Sequence, residues 1–143
     1  MDQDFVTQLY QDHTHTRHLV PASTTCQFAE AVMQLLFPPL AETRFTSLKQ
    51  FELHINQLQF NLERILDGMA DKLNDSPASL AGAVMSELPR LRQLLIGDAT
   101  AISNGDPAAQ SIEEVIRTYP GFKAVAFYRL AHTMLHLGIP LLP

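Results

Sequence analysis

Two histidines, His132 and His136, stand four residues apart in a stretch with helical periodicity. This spacing places both imidazoles on one face of a helix, as in the His-Glu-x-x-His zinc sites of metalloproteases. Thr133 occupies the position of the glutamate that serves as the base in that motif. A third ligand is not evident nearby, so we interpret the pair as structural rather than as a metal site.

The polar N-terminal segment carries three further histidines, His13, His15 and His18. Histidine-rich tracts can bind metal ions, but we interpret this one as a solvated loop. Cys26 is the single cysteine, and its neighbours give no spacing that indicates metal or redox chemistry. Free cysteine is among the most buried residue types, so we expect Cys26 to be a small packed side chain.

Arg129 and Asp98 are charged residues within apolar helical stretches. Arg129 shares a helix face with His132 and could anchor a carboxylate, because guanidinium groups form bidentate hydrogen bonds. A salt bridge within a helical bundle is the interpretation that we favour. Asp98 lies either on the solvent face of its helix or opposite a base on another helix, and the sequence leaves both options open.

The segment Gly105-Asp106-Pro107-Ala108-Ala109 combines an acid with the residues of a stiff turn. An aspartate before proline is held in an extended conformation, and proline favours the first position of a helix, which predicts Asp106 as a helix N-cap. The same geometry displays a carboxylate that could hold a ligand amine or hydroxyl through a charge-assisted hydrogen bond. The sequence has no glycine-rich phosphate loop and no nucleophile with a base at motif spacing.

The length and composition predict one folded domain over residues 1–143. Of the 143 residues, 46% are hydrophobic, which provides enough apolar side chains for a sizeable core, and only 17% are charged. The net charge of −5 leaves no broad basic surface for a nucleic-acid backbone. Apolar runs are too short to cross a bilayer, and acids follow Met1 where a secretory signal would be basic. We therefore expect a cytoplasmic protein without a nucleic-acid or membrane partner.

An apolar stripe between Leu48 and Met69 is the clearest structural signal. Its residues recur at alternating spacings of three and four, which predicts one long central helix. Ser47 and Gln50 form a capping-box pattern at its start, and the residues before Pro77 end it. The stripe comprises Leu48, Phe51, Ile55, Leu58, Leu62, Ile65 and Met69, and Leu53, Phe60, Leu66 and Leu73 widen it. This width favours a multi-helix bundle over an isolated coiled coil.

Further helices are predicted on both sides of this stripe, bounded by prolines, by glycines and by the hydroxyl caps Ser76 and Ser111. They are expected over residues 5–9, from 23 or 24 to 37, over 77–105, over 112–117 and over 122–137. No alternation of apolar and polar residues persists long enough to indicate a strand. The sequence therefore predicts an all-α protein, a multi-helix bundle of about six to eight helices.

Five stretches in the C-terminal part carry a more specific signal. They are Leu88-Pro89-Arg90-Leu91-Arg92-Gln93-Leu94-Leu95, Gly105-Asp106-Pro107-Ala108-Ala109, Ser111-Ile112-Glu113-Glu114-Val115-Ile116, Tyr119-Pro120-Gly121-Phe122-Lys123-Ala124 and Tyr128-Arg129-Leu130-Ala131-His132. In this order and spacing, over about the last 55 residues, the chain resembles serine O-acetyltransferases. Leu36-Phe37-Pro38 and the long helix are also similar to the N-terminal region of that family.

The resemblance implies an α-helical N-terminal domain followed by a trimeric left-handed β-helix that this chain lacks. The apolar, proline-bounded end at Pro143 agrees with a chain that stops at the junction. The catalytic histidines and the acetyl-CoA groove of the family lie in the β-helix. The resemblance therefore assigns no catalytic, cofactor-binding or metal-binding residue to this chain, and neither His132 nor His136 is expected to be the catalytic base. We expect the chain alone to be inactive.

The resemblance also implies what the helical domain contributes. The family transfers acetyl from acetyl-CoA to the hydroxyl of L-serine for cysteine biosynthesis, and an acid in its Asp-Pro-Ala segment reaches serine. This acid matches Asp106, with Pro107 beside it. The family's N-terminal helices join two trimers, which implies self-association here, and O-acetylserine sulfhydrylase is an expected partner through a C-terminal tail that is absent here. The alternative is a free-standing helical interaction module without catalysis.

Overall fold

Six α-helices make up most of the chain, and the all-α prediction is confirmed for the part that the computed structural model describes, residues 2–15 and 21–140. The helices are α1 (Gln3–His15), α2 (Ala22–Leu36), α3 (Leu48–Asp67), α4 (Pro77–Gly105), α5 (Ile112–Thr118) and α6 (Pro120–His136). Single turns of 3-10 helix at Pro38–Leu40 and Ala70–Lys72 follow α2 and α3. The expectations for His18 and for the chain end at Pro143 lie outside the described residues.

The predicted hydroxyl caps are present at the starts of α3 and α5. The Ser47 hydroxyl accepts a hydrogen bond from the backbone N–H of Gln50 at 3.3 Å, and the Ser111 hydroxyl accepts one from Glu114 at 3.0 Å. In each case the reciprocal bond reaches the residue before the cap, since Gln50 Oε1 accepts from the N–H of Thr46. These caps satisfy N–H groups that have no partner within the helix.

The longest helix is α4, with 29 residues, rather than α3, with 20. A long helix does begin at Leu48 as predicted, but the prediction that it continues to the residues before Pro77 was wrong. Helix α3 ends at Asp67 because Met69 leaves helical geometry with φ −135° and ψ 23°. Helix α4 continues through Pro89, whose ring is exposed. Proline has no backbone N–H, so the helix lacks one hydrogen bond here but does not end.

The core lies where α4 packs against α3, α5 and α6, with α2 packing on α3 and α6. The fully buried large side chains come from all of these helices and from the segment after α6. They include Val32, Leu62, Leu66, Leu91, Leu95, Val115, Phe122 and Ile139. No helix in the described ranges has an apolar stretch of the length that crossing a bilayer requires.

The N-terminal part of the apolar stripe does not enter this core. Leu48, Leu53 and Phe60 are 73%, 58% and 51% exposed, whereas Leu62 is fully buried. Helix α1 is also outside the core, because its residues 3–14 are all exposed. The described chain therefore presents apolar side chains on α1, at the start of α3 and on the outer face of α3.

Two expectations for polar and sulfur side chains near the N-terminus are corrected. His13 lies in α1 rather than in a loop, because the helix continues to His15 instead of ending near Leu9. Cys26 is exposed rather than packed, because it lies on the outer face of α2, while Phe28 and Ala29 form the buried face.

Candidate functional site

Asp106 directly follows α4 and begins a tight turn. Its Oδ1 accepts a hydrogen bond from the backbone N–H of Ala108 at 2.8 Å, and its carbonyl oxygen accepts one from Ala109 at 3.1 Å. The next helix, α5, begins only at Ile112 and is capped by Ser111. The prediction of Asp106 as a helix N-cap was therefore wrong. Pro107 does not begin a helix but lies in a turn that the Asp106 side chain stabilises through its hydrogen bond with Ala108.

Tyr119 supplies the second contact of the Asp106 carboxylate. Its hydroxyl donates a hydrogen bond to Asp106 Oδ2 at 2.8 Å, across 13 positions of sequence. Tyr119 is the residue between α5 and α6, so this bond joins the start of α6 to the end of α4. Tyr119 stands in one of the five stretches that carry the resemblance, but no sequence pattern predicted its contact with Asp106.

These two donors keep the Asp106 carboxyl ionised. The N–H of Ala108 and, second, the Tyr119 hydroxyl lower the pKa of Asp106 below its ordinary value, against a smaller opposing effect of desolvation. The bond to Asp106 is also the main cause that raises the pKa of Tyr119, helped by desolvation and by the charges of Asp106 and Glu114. At neutral pH the turn thus carries a negative charge.

The carboxylate of Asp106 has acceptor capacity left for a ligand. An ionised carboxylate offers about four lone-pair sites, and among the described residues only Ala108 and Tyr119 donate to the one on Asp106. Asp106 is half-buried and Pro107 is exposed, and no arginine, lysine or histidine of the described ranges pairs with the carboxylate. The geometry suits a ligand that brings its own positive charge or a strong hydrogen-bond donor.

Arg129 and Asp98 form an ion pair between α6 and α4. Arg129 donates from Nε to one carboxylate oxygen and from a terminal nitrogen to the other, the second bond at 2.7 Å. Asp98 raises the pKa of Arg129, chiefly through these hydrogen bonds. The salt-bridge interpretation of Arg129 is confirmed, and the open question about Asp98 is answered in favour of pairing across the bundle.

Comparison with known proteins finds similar sequences for part of the chain. No family model matches the chain. A protein named "Serine acetyltransferase, plasmid" from Synechococcus elongatus is 46% identical over 70 residues, which is 49% of this chain and 22% of that protein. A serine acetyltransferase from Synechocystis sp. is 41% identical over 49 residues, 34% of this chain and 20% of its own length. Over these stretches the chain is similar to proteins named serine acetyltransferase.

The similarity to serine acetyltransferases is partial in extent. The matched stretches cover about a fifth of the length of these curated relatives. The resemblance expected from the sequence is thus confirmed for part of the chain.

The histidine pair lies on the surface of α6. The rings of His132 and His136 meet edge to face at 4.3 Å, and His132 stacks on Tyr128 at 5.7 Å. As the spacing predicted, both imidazoles share one helix face. Across residues 2–15 and 21–140, no group of three or more His, Cys, Asp and Glu side chains is placed to hold a metal ion.

Proposed function

We propose that this chain is the serine-contacting and oligomerising N-terminal domain of a serine O-acetyltransferase. The observation that carries the proposal is the carboxylate of Asp106, ionised and held on a half-exposed turn with acceptor capacity to spare. Homology to proteins named serine acetyltransferase supports the reaction class. In this proposal, acetyl passes from acetyl-CoA to the hydroxyl of L-serine and gives O-acetylserine for cysteine biosynthesis.

Within that reaction, Asp106 binds the substrate and does not move a proton. Serine carries an ammonium group at neutral pH, and a charge-assisted hydrogen bond from this group to Asp106 would fix the α-carbon, which is next to the carbon that carries the hydroxyl. Orienting the nucleophilic oxygen in this way accelerates an acyl transfer, because only an aligned acceptor attacks the thioester productively. Pro107, beside Asp106, stiffens the turn that carries the carboxylate. We assign no catalytic base and no acetyl-CoA contact to this chain.

The decisive test is Asp106→Asn in the full-length enzyme that contains this chain. Asparagine still accepts the N–H of Ala108, so the turn is retained, but it carries no charge for an ammonium group. We expect kcat/KM for serine to fall at least about tenfold, with KM for acetyl-CoA unchanged. Serine kinetics equal to those of the wild type in a folded variant would end the assignment.

Asp75 provides a matched control at the other end of α4. Its carboxylate also accepts a backbone N–H and a hydroxyl, from Ser76 and Ser79, each at 2.7 Å, and its pKa is also lowered. Asp75→Asn therefore perturbs the same kind of turn without touching the proposed site. We expect its serine kinetics to match those of the wild type.

Two further experiments separate the proposal from a free-standing interaction module. Thiol release from acetyl-CoA by the 143-residue chain should not depend on serine, because the proposal places the acetyl-CoA groove in another domain. Sequencing the reading frame after Pro143 tests that domain directly. Hexapeptide repeats would support the acetyltransferase, and a stop codon would support the module.

A further inference from the structure

We propose that Tyr119 is a positioning residue for substrate binding, which holds the Asp106 carboxylate in the orientation that receives a ligand ammonium group. The inference rests on the proposed role of Asp106 in serine binding. It adds a residue whose side chain makes no ligand contact of its own and acts through the hydrogen bond to Oδ2.

Two donors on different oxygens fix the plane of the carboxylate. The last torsion of an aspartate side chain is soft, since rotation about a bond to an sp² carbon has broad minima. The N–H of Ala108 alone, at Oδ1, would leave this rotation open. The hydrogen bond from the Tyr119 hydroxyl to Oδ2, which is also 2.8 Å long, restricts this rotation. The remaining lone pairs then point in defined directions.

Tyr119 is itself a rigid support. Its backbone N–H donates to the carbonyl of Val115 at 3.1 Å, and its carbonyl accepts from the N–H of Phe122 at 3.1 Å. Pro120 follows and restricts the backbone of the residue before it, which lies at φ −83° and ψ 115°. The half-buried ring packs against the core that contains Val115 and Phe122. Because α5 and α6 fix the position of the Tyr119 hydroxyl, they also fix the position of the Asp106 carboxylate in the turn after α4.

The Tyr119 hydroxyl also stabilises the ionised form of the carboxylate, as the second cause, after the N–H of Ala108, that lowers the pKa of Asp106. A donor on Oδ2 favours the ionised carboxylate over the protonated one. Without it, the carboxylate would rotate and its pKa would rise towards the ordinary value. The consequence for an ammonium ligand is weaker binding without any change at the thioester. We therefore expect Tyr119→Phe to raise KM for serine roughly threefold to tenfold, the effect of losing one hydrogen bond at a charged acceptor.

The experiment compares Tyr119→Phe with Tyr128→Phe. Tyr128 is on α6, 66% exposed, and its hydroxyl makes no hydrogen bond within the described ranges. Carbon-detected NMR titration of the 143-residue chain gives the pKa of the Asp106 carboxyl. We expect this pKa to rise in Tyr119→Phe and to stay unchanged in Tyr128→Phe. In the full-length enzyme, only Tyr119→Phe should raise KM for serine, and neither variant should change KM for acetyl-CoA.

The reciprocal measurement does not depend on the folding of a Tyr119 variant. In Asp106→Asn, NMR titration of the Tyr119 ring should show its pKa falling towards the ordinary value, because the carboxylate that raises it is gone. An unchanged Asp106 pKa in Tyr119→Phe, or an unchanged Tyr119 pKa in Asp106→Asn, would overturn the inference.

Failure of the inference and failure of the proposed function give different results. If Asp106→Asn weakens serine binding and Tyr119→Phe does not, only the positioning role of Tyr119 is wrong. If Asp106→Asn leaves serine kinetics intact, the proposed function is wrong, and a pKa shift in Tyr119→Phe then reports a structural bond alone.

Discussion

Arg129 on α6 binds both carboxylate oxygens of Asp98 on α4, with the two side chains 33% and 21% exposed. Asp98 lies about two helical turns before Asp106, and Arg129 lies about three turns after Tyr119. The ion pair therefore holds the end of α4 and the start of α6 at a set separation, and the Asp106–Tyr119 hydrogen bond needs that separation.

Removing one partner of this ion pair should destabilise the fold. Asp98→Ala leaves the partly buried guanidinium of Arg129 without its acceptor, and we expect a loss of about 1–3 kcal/mol in the free energy of unfolding. Urea unfolding measures it. The control is Glu87→Ala, which removes the exposed pair with Arg90 and should cost no more than about 0.5 kcal/mol. Equal losses would contradict a structural role for the α4–α6 pair.

Two leucines of α3 should differ in their contribution to stability. Leu62 is fully buried and Leu53 is 58% exposed. Leu62→Ala should cost about 2–5 kcal/mol, because a cavity remains where the side chain was, whereas Leu53→Ala should change stability by about 0.5 kcal/mol or less. Chemical denaturation of both variants tests this. A large loss in Leu53→Ala would show that this side chain is covered in solution.

Replacing the proline within α4 should stabilise the protein. Pro89 has no N–H for the carbonyl of Met85 one turn earlier, and its ring is exposed, so Pro89→Ala restores a hydrogen bond without losing core packing. The gain in unfolding free energy has an upper limit of about 3 kcal/mol. Gln93→Ala, one turn later on the exposed surface, serves as the control. A Pro89→Ala protein less stable than the wild type would indicate that the core requires the proline geometry.

Stability should depend on pH through Asp106. Its pKa is lower in the folded chain than the ordinary value of about 3.9, so ionisation favours the folded state above that value. This contribution is lost as the pH falls through the folded-state pKa. Thermal melting should show a gap between wild type and Asp106→Asn at pH 6 that closes in strong acid. A gap independent of pH would mean that the carboxylate charge does not contribute.

Self-association through α1 is the prediction for the exposed N-terminal helix. Phe5 and Leu9 lie one turn apart on α1 and are 54% and 40% exposed, so glutamates at both positions should weaken assembly in sedimentation experiments. Glutamates at Gln3 and Thr7 add charge to the same helix at other exposed positions and should leave assembly intact. A wild-type chain that sediments only as a monomer at high concentration would refute the oligomerising role.

The sequence predicted what depends on neighbours along the chain. Ser47, Ser76 and Ser111 begin helices as predicted, because a hydroxyl cap acts within three residues. It did not predict features that depend on packing between helices. The exposure of Leu48 depends on which helices cover the start of α3, and the hydrogen bond between Tyr119 and Asp106 depends on how α4, α5 and α6 meet. Periodicity identifies an apolar face but not whether another helix covers it.

The hydrogen bond from Tyr119 to Asp106 also affects how fast the site recovers from local opening. It closes a loop of 13 positions, whereas the Lys123–Glu30 ion pair between α6 and α2 spans 93. Closing a loop of about ten residues takes roughly 10–100 ns, and enzymes typically turn over about ten times per second. After a fluctuation that separates Tyr119 from Asp106 while the core stays folded, the carboxylate should therefore regain its orientation well before one turnover of the proposed enzyme is complete.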